Sequence, residues 1–356
     1  MLIFNLCDGC DDLDGYPGGS IPRDLEAHGF AFTGSMSDFY RITTPKTLLK
    51  SYLQRHSVPT SDFVPIRADH LTNDVHTAIA RLGFPLIVKP SISYASLGIT
   101  STSVTHSLDA TLAQVASIFT EFPRAGVFIE RYLAGREFTA VVTGNVAQDN
   151  VHVYPVAERA FRKDLGEGER FLAFDRYWAG WTIDGDRPDE QEEAYYSYRL
   201  APAEWQAELM RIAREAYIAC QGSGYGRVDF RTASADRCEP YVLEVNANCG
   251  LTFDETSSLG EILRLSNVAP LTFLQEIIDG AVSRWSATRC AETTVSDPTP
   301  DFTLDTVARA LSEMDVNDKP LGPRTTSMRA DSVLGSRQSM ATKEKKTAVD
   351  ERGAGV

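Results

Sequence analysis

An α+β fold is predicted by three features of the chain. Helical periodicity is clear at Trp205, Leu209, Ile212, Ala216 and Ala219, spaced four, three, four and three residues apart. Short apolar runs bounded by Gly, Pro and Ser recur between such helices and read as strands. Two of these runs, Tyr225-Gly-Arg-Val-Asp-Phe-Arg231 and Tyr241-Val-Leu-Glu-Val-Asn246, can pair as a hairpin across a loop of roughly nine residues.

From the N-terminus, Met1-Leu-Ile-Phe-Asn-Leu6 reads as a buried strand that starts at the first residue, which predicts further chain upstream. Residues 11–20, rich in Gly and Asp, predict a loop before a short helix over 21–28. Pro45, with Thr43 and Thr44 as candidate caps, opens a helix over 46–56 that Val58-Pro59 ends. A helix follows over 73–82, then the strand Phe84-Pro-Leu-Ile-Val-Lys89, stopped by Pro90. Strands are predicted at 99–104, 127–130, 137–143 and 152–159, with a helix at 107–119. Six acidic residues against one arginine over 182–193 predict a solvated loop. The strong helix covers 202–220, and a last core helix over 271–285 presents Leu271, Leu274, Ile278 and Val282 on one face. Beyond residue 290 the Ser, Thr, Asp, Lys and Pro content predicts a largely disordered tail with one helix over 304–314.

With 356 residues, 43% of them apolar and 10% aromatic, the chain can bury one or two cores. Its 35 Lys and Arg against 49 Asp and Glu give −14, which opposes attraction to nucleic acid or an anionic membrane and directs attention to small-molecule chemistry. No run of about 18 apolar residues spans a bilayer and no signal-peptide pattern opens the chain, which predicts a soluble, cytoplasmic protein. Six scattered cysteines predict reduced thiols. Cys7-Asp8-Gly9-Cys10 has no second pair or nearby histidine to complete a zinc site, which leaves structural cysteines or a redox pair.

The chemistry concentrates in the hairpin. Period-two alternation puts Arg227 and Asp229 on one face of the first strand, with Val228 and Phe230 on the other. On the second strand Glu244 and Asn246 share a face, opposed by Leu243 and Val245. Asp229, Glu244 and Asn246 form a hard-oxygen set without His or Cys, suited to Mg²⁺, or Mn²⁺ in its place, held jointly with nucleotide phosphates. Arg227 beside them suits charge developing on a phosphoryl group or a tetrahedral intermediate. An exposed hairpin face whose charges pair with one another uses the same residues and stays open as a reading. Gly250, shortly after the second strand, lets backbone N–H groups approach a ligand oxygen. Lys89, followed by Pro90-Ser-Ile-Ser-Tyr-Ala-Ser-Leu-Gly98, joins a cation to hydroxyls and backbone donors, a combination that grips phosphate; a strand-terminal lysine beside a polar turn is the plain alternative. Glu130 and Glu137 flank a short inter-strand link, whose backbone can meet a purine edge while Glu137 accepts ribose hydroxyls.

In order, these segments resemble the ATP-grasp superfamily, and within it the D-alanine–D-alanine ligase-like branch, from about residue 3 to residue 267. The resemblance is carried by Phe-Pro-Leu-Ile-Val-Lys-Pro-Ser at 84–91, Phe-Ile-Glu-Arg-Tyr-Leu-Ala-Gly-Arg-Glu-Phe-Thr at 128–139, Gly-Arg-Val-Asp at 226–229 and Leu-Glu-Val-Asn at 243–246. Phe-Asn-Leu-Cys-Asp-Gly at 4–9 and Phe-Thr-Gly-Ser at 32–35 are similar to the end of the domain that precedes the grasp in those ligases. The resemblance implies two α+β lobes clasping ATP: an abbreviated N-terminal α/β segment over 1–44, a small lobe over 45–136, a C-terminal lobe over 137–288 and a tail over 289–356. It further implies that Lys46 and Lys89 contact ATP, that Ser91 to Gly98, including Ser96, close as a phosphate loop, and that Glu130, Arg131, Tyr132 and Leu133 form the adenine hinge. Glu137 would then bind ribose, Asp229, Glu244 and Asn246 would hold Mg²⁺, and Arg227 with the Gly250 backbone would stabilise an acyl phosphate and the tetrahedral intermediate.

The implied activity joins a small-molecule carboxylate, expected to be that of an amino acid, to an amine in a specialised biosynthetic pathway, with a homodimer as the family's common state. Two departures bear on the substrates. The family's lid lysine is not evident, with Arg176 and Tyr177 as candidates, and Asp254 and Glu255 stand where a serine-containing stretch would bind a terminal carboxylate. Two acids there repel a carboxylate and welcome an amine, or point into solvent. A small-molecule kinase using the same ATP site, and a degenerate ATP-binding partner protein, are the competing expectations.

Overall fold

The computed structural model describes residues 1–10, 18–93, 96–174, 195–255 and 257–292. The first elements are β1 (Leu2–Ile3), α1 (Ser20–Ala27), β2 (Ala31–Phe32), α2 (Ser37–Thr43), α3 (Lys46–Arg55) and β3 (Phe63–Ile66). Next come α4 (Leu71–Leu82), β4 (Leu86–Pro90), β5 (Val104–Thr105), α5 (Leu108–Glu121), β6 (Val127–Arg131), β7 (Glu137–Thr143), β8 (His152–Val153), β9 (Ala157–Phe161) and β10 (Tyr196–Leu200). The last described elements are α6 (Ala203–Ala219), β11 (Tyr225–Thr232), β12 (Pro240–Ala247), α7 (Ser258–Leu265) and α8 (Pro270–Glu292). Among the described residues no helix is long and apolar enough to cross a membrane.

A smaller antiparallel sheet has the order β3-β6-β4-β5. Val64, Leu86, Val88, Val127 and Ile129 from its strands pack on Val75, Ala78 and Leu82 of α4 and on Val115 and Ile118 of α5. Burying each such aliphatic side chain contributes about 1.5–3 kcal/mol before entropy is counted. The larger sheet runs β10-β9-β7-β11-β12, with β8 also paired to β7.

One face of the larger sheet is largely apolar over β7, β11 and β12, and the buried Glu158 of β9, opposite Phe138, is paired there with Arg136 and Arg199. Phe138, Ala140, Val142, Val228, Phe230, Val242 and Val245 meet Leu209, Ile212 and Ala216 of α6 and Leu49 and Leu53 of α3. The other face changes character along β7 and β11. At one end Val141 and Tyr225 are covered by Leu259 and Ile262 of α7 and by Phe273 and Ile277 of α8. At the other end Glu137, Asp229 and Arg231 line an open cleft. These three charged side chains are themselves buried, and they form the polar wall of the cleft where the apolar cover ends.

The N-terminal segment is stitched into this core. Phe39 and Ile42 of α2 join the main cluster, and Phe39 packs edge-on against Tyr217 with ring centroids 5.0 Å apart. Ser35 Oγ donates to the Tyr225 carbonyl at 2.9 Å, and the Met36 N–H donates to Ser223 Oγ at 2.8 Å. Gly224 adopts φ +70°, and a Cβ there would lie 2.1 Å from the Gly34 carbonyl oxygen, so this close approach requires glycine.

Several expectations are corrected. The strand predicted over 99–104 is a short 3₁₀ turn, Ser101–Ser103, closed by reciprocal Thr100 and Ser103 contacts, before the two-residue β5. The strand predicted over 152–159 is broken into β8 and β9 around Tyr154-Pro155, because proline withdraws a ladder donor. On the last helix Leu271 is 60% exposed, and the buried face runs through Phe273, Ile277, Ile278 and Ala281, since Phe273 packs against Tyr154 and Tyr225. That helix also continues to Glu292. Strands β3 and β10 and helices α2 and α7 are short elements without a predicted counterpart. The acidic stretch over 182–193, Arg176, Tyr177 and the helix predicted over 304–314 lie outside the described residues.

If α2 belongs to the main core, Phe39→Ala costs about 3–5 kcal/mol, read from the shift of the urea unfolding midpoint at unchanged slope. A change below about 1 kcal/mol would show that the N-terminal segment is not part of the cooperative unit.

Candidate active site

Strands β11 and β12 pair antiparallel with Arg227 opposite Asn246 and Asp229 opposite Glu244. Directly opposed side chains on one face of a sheet lie within contact distance, so the two polar faces meet as the sequence pattern predicts. Arg227 donates to both oxygens of Asp229, from Nε at 3.1 Å to each and from Nη2 at 2.9 Å, and lies 3.8 Å from Glu244. Asn246 Nδ2 bridges the carboxylates, 3.2 Å from Asp229 Oδ2 and 3.2 Å from Glu244 Oε1. Among the described residues no three His, Cys, Asp or Glu side chains gather into a metal cluster, so the set here is two carboxylates and one amide.

The register shifts between Asp229 and Phe230, which pairs with Val242. This bulge corrects the expectation that Leu243 faces the core with Val245. Val242 and Val245 are buried in the main cluster, while Leu243 and Glu244 both line the cleft.

Burial pushes the Glu244 carboxyl up, but Lys46 and Arg227 more than offset this and hold it at about 2. Burial likewise opposes the Arg227 charge, and Asp229 outweighs it, raising the guanidinium's pKa. Lys46, at the start of α3, donates from Nζ to the Ser93 carbonyl at 2.8 Å and to Ser93 Oγ at 3.1 Å, and lies 3.4 Å from Glu244. It therefore spans from the loop after β4 to β12.

Lys89, near the end of β4, pairs with Glu130 on the adjacent β6, Nζ to Oε1 at 2.5 Å. Glu130, Arg131, Tyr132 and Leu133 all line the cleft, as does Ser96 from the loop. Ser91 and Gly98 do not. The Ser91 hydroxyl bonds Thr47 Oγ1 at 2.9 Å, and Gly98, with φ +76°, turns the loop against Pro90 and Phe122. Gly250 follows β12, faces open space and does not line the cleft. Asp254 and Glu255 are exposed on the loop beyond it.

Glu137 lines the cleft, with each carboxylate oxygen already engaged: Arg159 Nη1 on Oε1 and Arg231 Nη1 on Oε2 at 3.1 Å. Both arginines line the cleft and escaped the sequence reading. Arg231 continues the period-two face of Arg227 and Asp229, a signal that extending the alternation by one step would have caught. Its guanidinium lies over Tyr132, 5.1 Å from the ring centroid, and its buried Nε has no hydrogen-bond partner among the described residues. The Arg159 guanidinium lies against both Tyr196 and Tyr198, 5.3 and 5.6 Å from their ring centroids.

The family model described as D-ala D-ala ligase C-terminus matches residues 52–279. The chain belongs to this family. A D-alanine–D-alanine ligase of Burkholderia orbicola (strain MC0-3) is 29% identical over 236 residues, 66% of this chain and 66% of that protein. A Sinorhizobium fredii protein named Uncharacterized protein y4sG is 29% identical over 252 residues, 70% of this chain and 66% of its own length. The chain thus spans just under two-thirds of these curated relatives. In structure it is similar to the Coxiella burnetii D-alanine–D-alanine ligase, with TM-score 0.61, 18% identity and coverage of 82% of this chain and 72% of that one. It is also similar to the Bacillus anthracis ligase complexed with ATP, with TM-score 0.56, 20% identity and 76% of each chain covered. The family's two-lobed α+β architecture is therefore the ATP-grasp fold, as the resemblance implied.

The buried Glu130 carboxylate provides a test of the site's electrostatics. Burial raises its pKa, but Lys50 and Lys89 together bring it down from 4.5 to about 2. A depressed carboxylate contributes stability above its unfolded value that is lost as pH falls through the folded one. Chemical denaturation between pH 5 and pH 2 should accordingly show a shallower loss of stability in Glu130→Gln than in the parent; an unchanged slope would mean that the carboxylate is not held ionised.

Proposed function

We propose that this chain is an ATP- and Mg²⁺-dependent ligase that activates a small-molecule carboxylate as an acyl phosphate and joins it to an amine. The observation that carries this reading is a single cleft in which Asp229 and Glu244 face each other beside Arg227, while Lys46, Lys89 and the Glu130 to Leu133 link lie along the same walls. Two carboxylates and an amide oxygen are donors that Mg²⁺ favours. A half-turn of the Asn246 amide presents Oδ1 in place of Nδ2, a choice set by its hydrogen-bond partners. Mg²⁺ held there would neutralise phosphate oxygens.

In the first step a carboxylate oxygen forms a bond to the γ-phosphorus of ATP as the bond to the β,γ-bridging oxygen breaks, and ADP leaves with the electron pair. In the second, an amine nitrogen attacks the acyl carbon, phosphate departs, and the nitrogen gives up a proton. Carboxylate oxide is a poor leaving group and phosphate a good one, which is the reason for activation. Arg227, held by Asp229, supplies fixed positive charge where oxyanion charge develops in both steps. Lys46 and Lys89 complement phosphate charge.

The relatives named D-alanine–D-alanine ligase suggest an amino acid as the carboxylate substrate. Asp254 and Glu255, exposed beyond Gly250, favour an amine or cationic second substrate over one presenting a carboxylate, in keeping with a specialised product.

Incubation with ATP, Mg²⁺, mixed amino acids and hydroxylamine should yield ADP and an acyl hydroxamate. A stable phosphorylated acceptor without hydroxamate would instead indicate a kinase. Arg227→Met should lower kcat by about 10²–10³ with circular dichroism unchanged. A variant as active as the parent would remove Arg227 from the reaction.

A further inference from the structure

Lys50 lies one helical turn from Lys46 on α3 but is fully buried and does not line the cleft. Its ammonium carries three hydrogens and meets three acceptors: Thr60 Oγ1 at 2.9 Å, Ser61 Oγ at 3.0 Å and Glu130 Oε2 at 2.6 Å. The Ser61 hydroxyl donates to the same Oε2. Lys89 takes the other oxygen, Oε1, at 2.5 Å. The cluster also reaches the metal-ligand strand, because the Thr60 hydroxyl donates to the Val242 carbonyl at 2.7 Å and the Val242 N–H donates to the Pro59 carbonyl at 2.8 Å. Val242 is two residues before Glu244.

Two lysines on one buried carboxylate exceed what neutralising it needs, and burial itself disfavours the Lys50 charge. If Lys89 were the sole partner of Glu130, a phosphate could recruit it only by leaving a buried carboxylate without a counter-charge, a costly state. With Lys50 and Ser61 on Oε2, Glu130 remains paired when Lys89 turns away.

We propose that Lys50 is a positioning residue that keeps Glu130 compensated so that Lys89 is released to a nucleotide phosphate, an inference that rests on the nucleotide reading above. Lys50 itself touches no ligand. Its effect passes through Glu130 to Lys89 and concerns the phosphates rather than the base.

Calorimetric titration of the full chain with ATP and with adenosine separates this role from a structural one. Lys50→Met should weaken ATP about tenfold or more and adenosine less than about twofold, because only ATP needs Lys89 freed. Adding Glu130→Gln to Lys50→Met should restore much of the ATP affinity, since a neutral amide no longer retains Lys89. If circular dichroism shows Lys50→Met unfolded, Ser61→Ala, which removes one donor to Oε2, should weaken ATP selectively by a smaller factor. Equal losses for ATP and adenosine, unchanged ATP binding, or no recovery in the double variant would overturn the inference. A parent protein that binds no ATP would overturn the nucleotide reading, and this inference with it.

Discussion

The pairing of β11 with β12 governs what the cleft can do. Arg227 opposite Asn246 and Asp229 opposite Glu244 put four polar groups on one patch, and a slip of one residue would turn that face into the core. The bulge beside Asp229 then lets Val242 and Val245 stay in the main cluster while Leu243 and Glu244 both face the cleft. The sheet's apolar face, clamped by α6 and α3, fixes the register, and the register fixes the site.

Charge within the cleft runs against the charge of the chain. The protein carries −14, yet the cleft walls present Lys46, Lys89, Arg131, Arg159 and Arg231 against Glu130, Glu137, Asp229 and Glu244, with Lys50 and Arg227 behind them. Glu130 and Glu137 are each held by two cations. Carboxylates anchored in this way hold long basic side chains in place and leave a cationic excess, which suits a polyphosphate. The loop side chain of Ser96 and the Lys46–Ser93 contacts lie at the same end.

The hairpin's polar faces were legible in the sequence because period-two spacing is a local property, Lys89 and the Glu130 to Leu133 link stood out by the residue types around them, and Lys46 was pointed to by the family resemblance alone. What alternation could not show is the bulge, which depends on how Phe230 and Val242 settle into a core assembled from α2, α3 and α6. The face of α8 was misread because Phe273 is chosen by aromatic neighbours distant in sequence, Tyr154 and Tyr225. Lys50 gave no signal at all, since a lysine in an amphipathic helix reads as solvated until a buried carboxylate from β6 is found against it. Glu137 was recognisable as a cleft residue, whereas its two arginine partners come from neighbouring strands whose pairing only the sheet order reveals.

If the hairpin face activates a carboxylate through phosphate, a carboxylate oxygen must end in inorganic phosphate. Turnover of ATP with amino acids carrying ¹⁸O in their carboxylates tests it most directly, with mass spectrometry of the released inorganic phosphate. One ¹⁸O should pass from each carboxylate consumed into phosphate, accompanied by ADP. Phosphate without label, or label retained in a phosphorylated product or delivered to AMP, would contradict it.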